Sequence, residues 1–250
     1  VVSEDALLRG NVDVPAAEVL RVLKPCGGMV CFGQPKVSTS AVARLDEQAL
    51  RQWAAAPEFA GCRIDAADGV WMNYLRGALP GAGAWTHQYG TAGNTASSTD
   101  TAVECPLGVL WYGEPGPDKV PSRHSGNAAP LSINGRVYLQ GIDRIMCFDA
   151  YNGLMNWERE IPGAYRVGMV RECSNLAADD RSLFVVTKDK CLRLDNLTGN
   201  TVATYAIPQE VQEGNNRWSY VAVAGGILYG SAASATLDSK ALFAIDADSG

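Results

Sequence analysis

One short motif occurs three times in the second half of the chain: an aspartate followed four residues later by a glycine. The copies are Asp149-Ala-Tyr-Asn-Gly153, Asp195-Asn-Leu-Thr-Gly199 and Asp246-Ala-Asp-Ser-Gly250, separated by 46 and then 51 residues. Apolar runs precede each copy, as Ile145-Met-Cys-Phe does the first. Such runs predict strands covered on both faces. A period of about 40–50 residues suits one propeller blade per copy, so the motif together with its preceding strands predicts an all-β repeat fold for this half.

The chemistry of the motif predicts a tight turn between two strands. An aspartate accepts hydrogen bonds from the amides that follow it, and a glycine adopts the positive φ that other residues avoid. Trp157, four residues after Gly153, provides a flat surface for packing between sheets, but Ala203 takes its place in the second copy. The third copy carries about seven extra residues around 233–239, which predicts a longer loop. The similar stretch Asp65–Gly69 lacks the preceding strands and is not counted as a copy.

These residues resemble the pyrroloquinoline-quinone (PQQ)-type propeller repeat, in which two strands are followed by A-x-D-x-x-T-G and a tryptophan. The resemblance covers about residues 105–250 and implies four-stranded antiparallel blades around a central channel. Residues 85–95 and 107–116 look like the start of such a propeller, a tryptophan-containing loop and then the strand that closes the ring. About three blades are expected, so closing the ring would need residues beyond Gly250.

The first part of the chain has the pattern of an α/β protein. Pro15–Lys24 predicts a helix with Val19, Leu20, Val22 and Leu23 on one stripe, and Met29–Gly33 predicts a buried strand. Glu18–Pro35 contains "LRVLKPCGG" and resembles the late segment of class I S-adenosylmethionine-dependent methyltransferases, where "LRVLKPGG" leads into the fifth strand. Cys26 interrupts that Pro-Gly-Gly. Residues 45–55 predict a further helix, and residues 62–83 are expected to supply the antiparallel last strands of that fold.

The expected fold is therefore an α/β segment, residues 1–83, followed by an incomplete β-propeller of about three four-stranded antiparallel blades, residues 84–250. Pro80-Gly-Ala-Gly83 is the expected linker. The methyltransferase family holds its cofactor with a glycine-rich loop and an acidic residue, neither of which matches a segment here. No cofactor-binding residue can be assigned, and an unrelated α/β cap is the alternative interpretation. Because the chain begins at Val1 without methionine and stops inside a turn motif, we expect a piece of a longer protein.

Composition excludes several classes of function. The net charge of −6 and the absence of a basic cluster argue against a nucleic-acid partner. No apolar run has the roughly 18 residues that a membrane helix needs. The seven cysteines are widely spaced and only two histidines are present, so we predict buried thiols, no metal site and no disulfide framework. An odd cysteine count fits a reducing compartment.

Four residues are candidates for ligand binding at a channel mouth or loop: His87, Arg123, His124 and Arg166. They lie in loop-like contexts and could hold an anionic group. The alternative interpretation is that they satisfy backbone carbonyls or brace adjacent blades. The acidic pair at 179–180 could hold a cation or transfer a proton, but a tight turn that enters a strand is the favoured interpretation.

Three functions fit these observations. The first is a propeller that acts as a binding or scaffolding platform, with a protein or small-molecule ligand at its face. The second is a PQQ-dependent dehydrogenase, whose family uses adjacent cysteines, a stacking tryptophan and calcium; no adjacent cysteine pair occurs here. The third is an S-adenosylmethionine-dependent methyltransferase whose propeller selects the substrate. The methyltransferase-like part favours the cytoplasm, whereas propellers of this repeat often act outside it, as in the periplasm.

Overall fold

A computed structural model describes residues 1–120, 127–166, 173–236 and 238–250. It divides the chain into two compact units, Val1–Leu79 and Pro80–Gly250. Two of the predicted ligand-binding residues, Arg123 and His124, lie outside the described residues. None of the helices in the described ranges is both long and apolar enough to cross a membrane.

The first unit combines short helices with a three-stranded antiparallel sheet, so the predicted α/β class is not established for it. After a π-helical turn at Asp5–Arg9, its elements are α1 (Ala16–Val22), β1 (Met29–Gln34), α2 (Glu47–Ala54), a 3₁₀ turn (Pro57–Phe59), β2 (Arg63–Asp65) and β3 (Val70–Leu75). β3 lies between β1 and β2 and is antiparallel to both. Val2 forms a parallel bridge to Cys31 in β1. β1 therefore has a parallel segment on one side and an antiparallel strand on the other.

The core of this unit corrects the predicted helical stripe. Val19 and Leu23 are buried, whereas the side chain of Val22 is 53% exposed. Residues four apart lie on the same face of a helix, so α1 buries only a narrow 19/23 seam. This seam packs into a core that contains Phe32 of β1 and Phe59.

The second unit consists of three antiparallel sheets in chain order. Sheet I contains β4 (Leu131–Ile133), β5 (Arg136–Gly141), β6 (Arg144–Asp149) and β7 (Met155–Glu160). Sheet II contains β8 (Leu176–Ala178), β9 (Ser182–Val186), β10 (Lys190–Asp195) and β11 (Thr201–Ala206). Sheet III contains β12 (Arg217–Ala224), β13 (Ile227–Ala233) and β14 (Ser239–Asp246). A short helix, α3 (Gly116–Lys119), and a 3₁₀ turn (Gln209–Val211) lie outside the sheets.

The sheets pack in succession as propeller-like blades. In each sheet, consecutive strands pair side by side, and the first strands β4, β8 and β12 of the three sheets contact one another in that order. One apolar core fills the space between sheets I and II and another lies between sheets II and III. All five residues of β9 are buried, as expected for a strand covered on both faces.

Two details of the predicted propeller are wrong. Sheets I and II have the expected four strands, but sheet III has three among the described residues. The fourth strand of the first two sheets follows the Asp-to-Gly turn, and in sheet III this turn falls on the last residues of the sequence. The predicted ring-closing strand in 107–116 is also absent, because residues 107–113 find no partner strand in the described part of the chain; Tyr112 is 93% exposed.

The three Asp-to-Gly segments have one geometry. Oδ1 of Asp149 accepts from the amides of residues 151 and 152, and Oδ1 of Asp195 and of Asp246 accepts from the equivalent pairs at 2.8–3.1 Å. The final glycines have φ values of 72°, 70° and 92°, and each donates its amide to the carbonyl of the aspartate. A hydrogen bond from the Thr198 side chain, followed by backbone hydrogen bonds, holds the pKa of Asp195 below its ordinary value.

Candidate functional site

Aromatic side chains connect each sheet to the turn of the next. Trp157 in β7 donates its indole N–H to the carbonyl of Asn196 at 3.2 Å, and its ring covers Gly199. A Cβ atom on Gly199 would lie 2.8 Å from that ring, which explains the need for glycine there beyond its φ. Trp111 makes the same contact one repeat earlier, with its N–H 2.8 Å from the carbonyl of Ala150 and its ring on Gly153.

Trp111 was not among the residues predicted from the sequence, although its spacing gave a signal. Trp111 lies 46 residues before Trp157, which is the first spacing of the Asp-to-Gly motif. The segment around it is not a strand, so only the tryptophan keeps the contact expected of a preceding blade.

The hydrogen bond from sheet II to the Asp-to-Gly turn of sheet III is made without a tryptophan. Tyr205, two residues after Ala203 and on the same side of β11, donates its hydroxyl to the carbonyl of Ala247 at 2.6 Å. Arg193 donates to the same carbonyl at 2.6 Å and pairs with Asp248 at 2.7 Å. The carbonyl that follows the corner aspartate therefore receives a side-chain donor in all three turns.

Three consecutive residues join the first strands of all three sheets. Trp85 exchanges backbone hydrogen bonds with Ser132 in β4 at 2.7 and 2.8 Å. The carbonyl of Thr86 accepts from the amide of Ala178 in β8 at 2.9 Å. His87 Nε2 accepts from the amide of Val223 in β12 at 3.1 Å.

The role of His87 follows from these bonds. An amide N–H only donates, so Nε2 carries no proton and the neutral ring has its proton on Nδ1. Nδ1 lies 2.8 Å from the hydroxyl oxygen of Thr86, which in turn is 3.4 Å from the carbonyl of Gly90. Burial of the ring lowers the pKa of His87 to about 4. At neutral pH this histidine is an uncharged acceptor that fixes β12, and it does not present a positive charge to an anion.

Arg166 also makes bonds to backbone. Its Nε donates to the carbonyl of Cys173 at 2.7 Å and its Nη1 to that of Asn127 at 3.5 Å. Cys173 and His87 line one cavity of about 190 Å³, together with Gln88, Tyr89, Asn94, Ser174, Tyr220 and Val221. The structure therefore brings two predicted site residues to one region, since His87 lines the cavity and Arg166 bonds to the carbonyl of another lining residue. Both use hydrogen bonds to stabilise the backbone.

A larger and more apolar cavity lies on sheet III. Its volume is about 460 Å³, and it is lined by Ala92, Gly93, Tyr220, Ala222, Ala224, Tyr229, Gly230, Leu242 and Phe243. Phe243 packs edge-on against Trp218 with ring centroids 4.8 Å apart, which fixes this wall. Tyr229 and Leu242 are exposed, so the cavity opens to solvent.

The acidic pair forms a turn. Oδ1 of Asp179 accepts from the amides of Arg181 and Ser182 at 2.8 and 2.7 Å, and Oδ1 of Asp180 accepts from the side chain of Asn134 at 3.2 Å. Across the described ranges, no three His, Cys, Asp or Glu side chains lie close enough to hold a metal ion. No disulfide joins the cysteines; burial raises the pKa of the Cys147 thiol to about 11 and raises that of Cys191 as well.

The described residues do not fit a quinone and calcium site of the type named above. No two cysteines are adjacent in the sequence, and the indole N–H groups of Trp111 and Trp157 donate to backbone carbonyls of the turns.

No family model matches this chain, and no curated protein matches it. Several solved structures are similar. BamB from Moraxella catarrhalis has 19% identity over 50% of this chain and 39% of its own, with a TM-score of 0.37. A europium-containing methanol dehydrogenase has 15% identity over 67% of this chain and 31% of its own, with a TM-score of 0.48. A quinohemoprotein alcohol dehydrogenase from Comamonas testosteroni has 19% identity over 48% of this chain and 19% of its own, with a TM-score of 0.39.

The chain thus spans less than two fifths of each of these three proteins. The matches give no support to the methyltransferase-like interpretation of the first unit. The second unit is propeller-like in its successive antiparallel sheets and its recurring Asp-to-Gly turns.

Proposed function

We propose that the second unit is a binding platform, and that the apolar cavity on sheet III receives an apolar group of a protein partner or a small molecule. The proposal is supported by the contrast between polar side chains that bond to the backbone and apolar side chains that are exposed at the cavity. His87, Arg166 and Asp179 are all engaged in backbone hydrogen bonds, whereas Tyr229 and Leu242 expose apolar surface beside a cavity of about 460 Å³. Ligand pockets commonly have volumes of about 300–1,000 Å³ and mostly apolar walls.

An apolar fluorescent dye such as anilinonaphthalene sulfonate tests the cavity. We expect saturable binding that is lost when Leu242 is replaced by Glu, because a carboxylate in the wall opposes the entry of an apolar ring. Leu197→Glu is the matched control, since Leu197 is exposed and lies outside the cavity. Equal dye binding by both variants contradicts the proposal.

The platform is also distinguished from a redox enzyme by turnover. The full-length protein is supplied with pyrroloquinoline quinone, calcium and an electron-accepting dye, and we expect no oxidation of alcohols or sugars. Oxidation under these conditions rejects the platform in favour of the dehydrogenase.

A second candidate function concerns the first unit, the methyltransferase. The pairing of β1 favours it, because Val2 pairs with β1 in parallel on one side and β3 pairs with it antiparallel on the other. A parallel sheet that ends in antiparallel strands is what the resemblance at 18–35 implies. Calorimetry of the full-length protein with S-adenosylmethionine tests this idea, and the absence of binding heat counts against it.

A further inference from the structure

A cavity of about 280 Å³ lies within the first unit, where β1 ends. Its walls are the loop that follows β1 and the turn between β2 and β3. The lining residues are Gln34, Pro35, Lys36, Arg44, Leu45, Ala66, Gly69 and Val70. Two of the eight carry a positive charge and none carries a negative one.

The floor of the cavity is held in place by Gln34. Its side chain is 3% exposed and makes three hydrogen bonds: Nε2 donates to the carbonyls of Leu7 and Ala43 at 3.0 and 2.8 Å, and Oε1 accepts from the amide of Leu45 at 3.1 Å. A buried amide with these partners fixes the loop from both ends. The shape of the cavity is therefore formed before any ligand arrives.

The opposite wall approaches the floor closely at Gly69. This residue has a φ of 109°, and a Cβ atom there would lie 2.2 Å from the carbonyl oxygen of Gln34. The turn between β2 and β3 is consequently packed directly on the end of β1, which places Lys36 and Arg44 opposite a wall of backbone.

Lys36 and Arg44 are exposed, and neither forms an ion pair in the described part of the chain. One Nη1–H of Arg44 donates to the carbonyl of Pro35 at 3.1 Å, which orients the guanidinium and leaves its other donors for a ligand. The nearest acidic residues in the wall's turn, Asp65 and Asp68, do not line the cavity, and Oδ1 of Asp65 accepts from the amide of Ala67 at 2.8 Å.

We propose that this cavity binds a small molecule through an oxyanion group, a phosphate or a carboxylate. The guanidinium of Arg44 supplies a planar pair of donors that matches two oxygens of either group, and the ammonium of Lys36 adds a point charge. A cavity slightly below the usual size for small-molecule sites suits a ligand of a few heavy atoms around that group.

The test uses the 250-residue chain in ¹H–¹⁵N NMR titrations with sodium phosphate and, separately, sodium acetate, in about 150 mM chloride to screen non-specific attraction. We expect saturable shifts of the amides of Leu45, Gly69 and Val70 with at least one of the two anions. Saturation with phosphate alone identifies a phosphate ligand, and saturation with acetate alone identifies a carboxylate.

Three variants and a control complete the experiment. Lys36→Met and Arg44→Met each weaken binding at least tenfold, and Arg44→Lys, which keeps the charge but loses the planar donor pair, weakens it less than Arg44→Met. Arg63→Met, an exposed cation of β2 outside this cavity, leaves binding unchanged. Absence of saturation with both anions, or an equal loss in Arg63→Met, overturns the proposal.

Discussion

At the scale of single residues, two side chains predicted to bind a ligand, His87 and Arg166, form hydrogen bonds with the backbone. His87 is the clearest case: its partner, the amide of Val223, is 136 residues away in the sequence. The loop-like context of His87 suggested a functional group, and nothing local indicated that it would bond to a distant strand. The hydrogen bond and the burial together require the neutral form of the ring.

This requirement predicts a loss of stability in mild acid. Folding lowers the pKa of His87 from 6.5 to about 4. The contribution of the neutral ring to the free energy of unfolding is therefore complete above pH 6.5 and is lost as the pH falls towards 4. Between pH 7 and pH 5 we expect the free energy of unfolding to fall by roughly 2 kcal/mol from this residue.

Urea denaturation at the two pH values measures this loss, with His87→Gln as the comparison. The glutamine oxygen can accept from Val223 but does not titrate, so the variant should lose about 2 kcal/mol less over the same interval. Identical pH dependences for the two proteins contradict the assigned role.

A second prediction at this scale concerns Cys26, which interrupts the Pro-Gly-Gly of the methyltransferase-like segment. Its φ is 54°, in the left-handed region that favours glycine. Its amide donates to the carbonyl of Gly77 at 2.9 Å, so the turn holds it there. We expect Cys26→Gly to raise the free energy of unfolding by about 0.5–1 kcal/mol, measured in urea. A loss of stability would show that packing of the Cys26 side chain contributes more than relief of the backbone strain.

At the scale of elements, the recurring unit is a turn together with an aromatic donor from the sheet before it. The turn could be predicted because its hydrogen bonds span only two or three residues, from Asp149 to the amides of 151 and 152. Trp111 could have been predicted from the period. Tyr205 could not, because a different residue type at a different offset supplies the donor to Ala247.

This equivalence predicts similar energies for two different donors. Trp157→Phe removes the bond to Asn196, and Tyr205→Phe removes the bond to Ala247, while both keep an aromatic ring. We expect each to lower the free energy of unfolding by about 1 kcal/mol. Thermal and urea denaturation measure both. A negligible effect of Tyr205→Phe means that Arg193 alone satisfies that carbonyl.

The close approach of the ring to the turn gives a further prediction. Gly199→Ala places a Cβ 2.8 Å from the ring of Trp157 in addition to straining a φ of 70°. We expect a loss of about 2–4 kcal/mol. Gly225→Ala is the control, since Gly225 has a φ of 58° with no atom near the added Cβ, and should lose only about 1 kcal/mol. Equal losses contradict a role for the ring contact.

At the scale of the whole molecule, the chain has separate hydrophobic cores in its two units. Leu50 and Phe32 belong to the core of the first unit, and Leu183 to a core of the second. The change of pattern between the two parts could be seen in the sequence, because the helical periodicity near the start differs from the short apolar runs of the second half. The number of strands in sheet III was not, since three strands and four share the same turn motif.

Separate cores predict at least two unfolding transitions. Leu50→Ala and Leu183→Ala each remove a fully buried side chain and should each cost about 2–5 kcal/mol. We expect the first variant to move one transition in calorimetry and the second to move the other. A single transition that both variants displace equally shows that the units unfold as one.

Stacked repeats ordinarily communicate only with their neighbours, so that one end of an array can open while the other stays closed. The tripeptide at 85–87 changes this here, because it ties sheet I to sheet III as well as to the sheet between them. A fluctuation that detaches the tripeptide removes a common restraint from all three sheets at once. We therefore expect the three sheets to unfold together in one cooperative step.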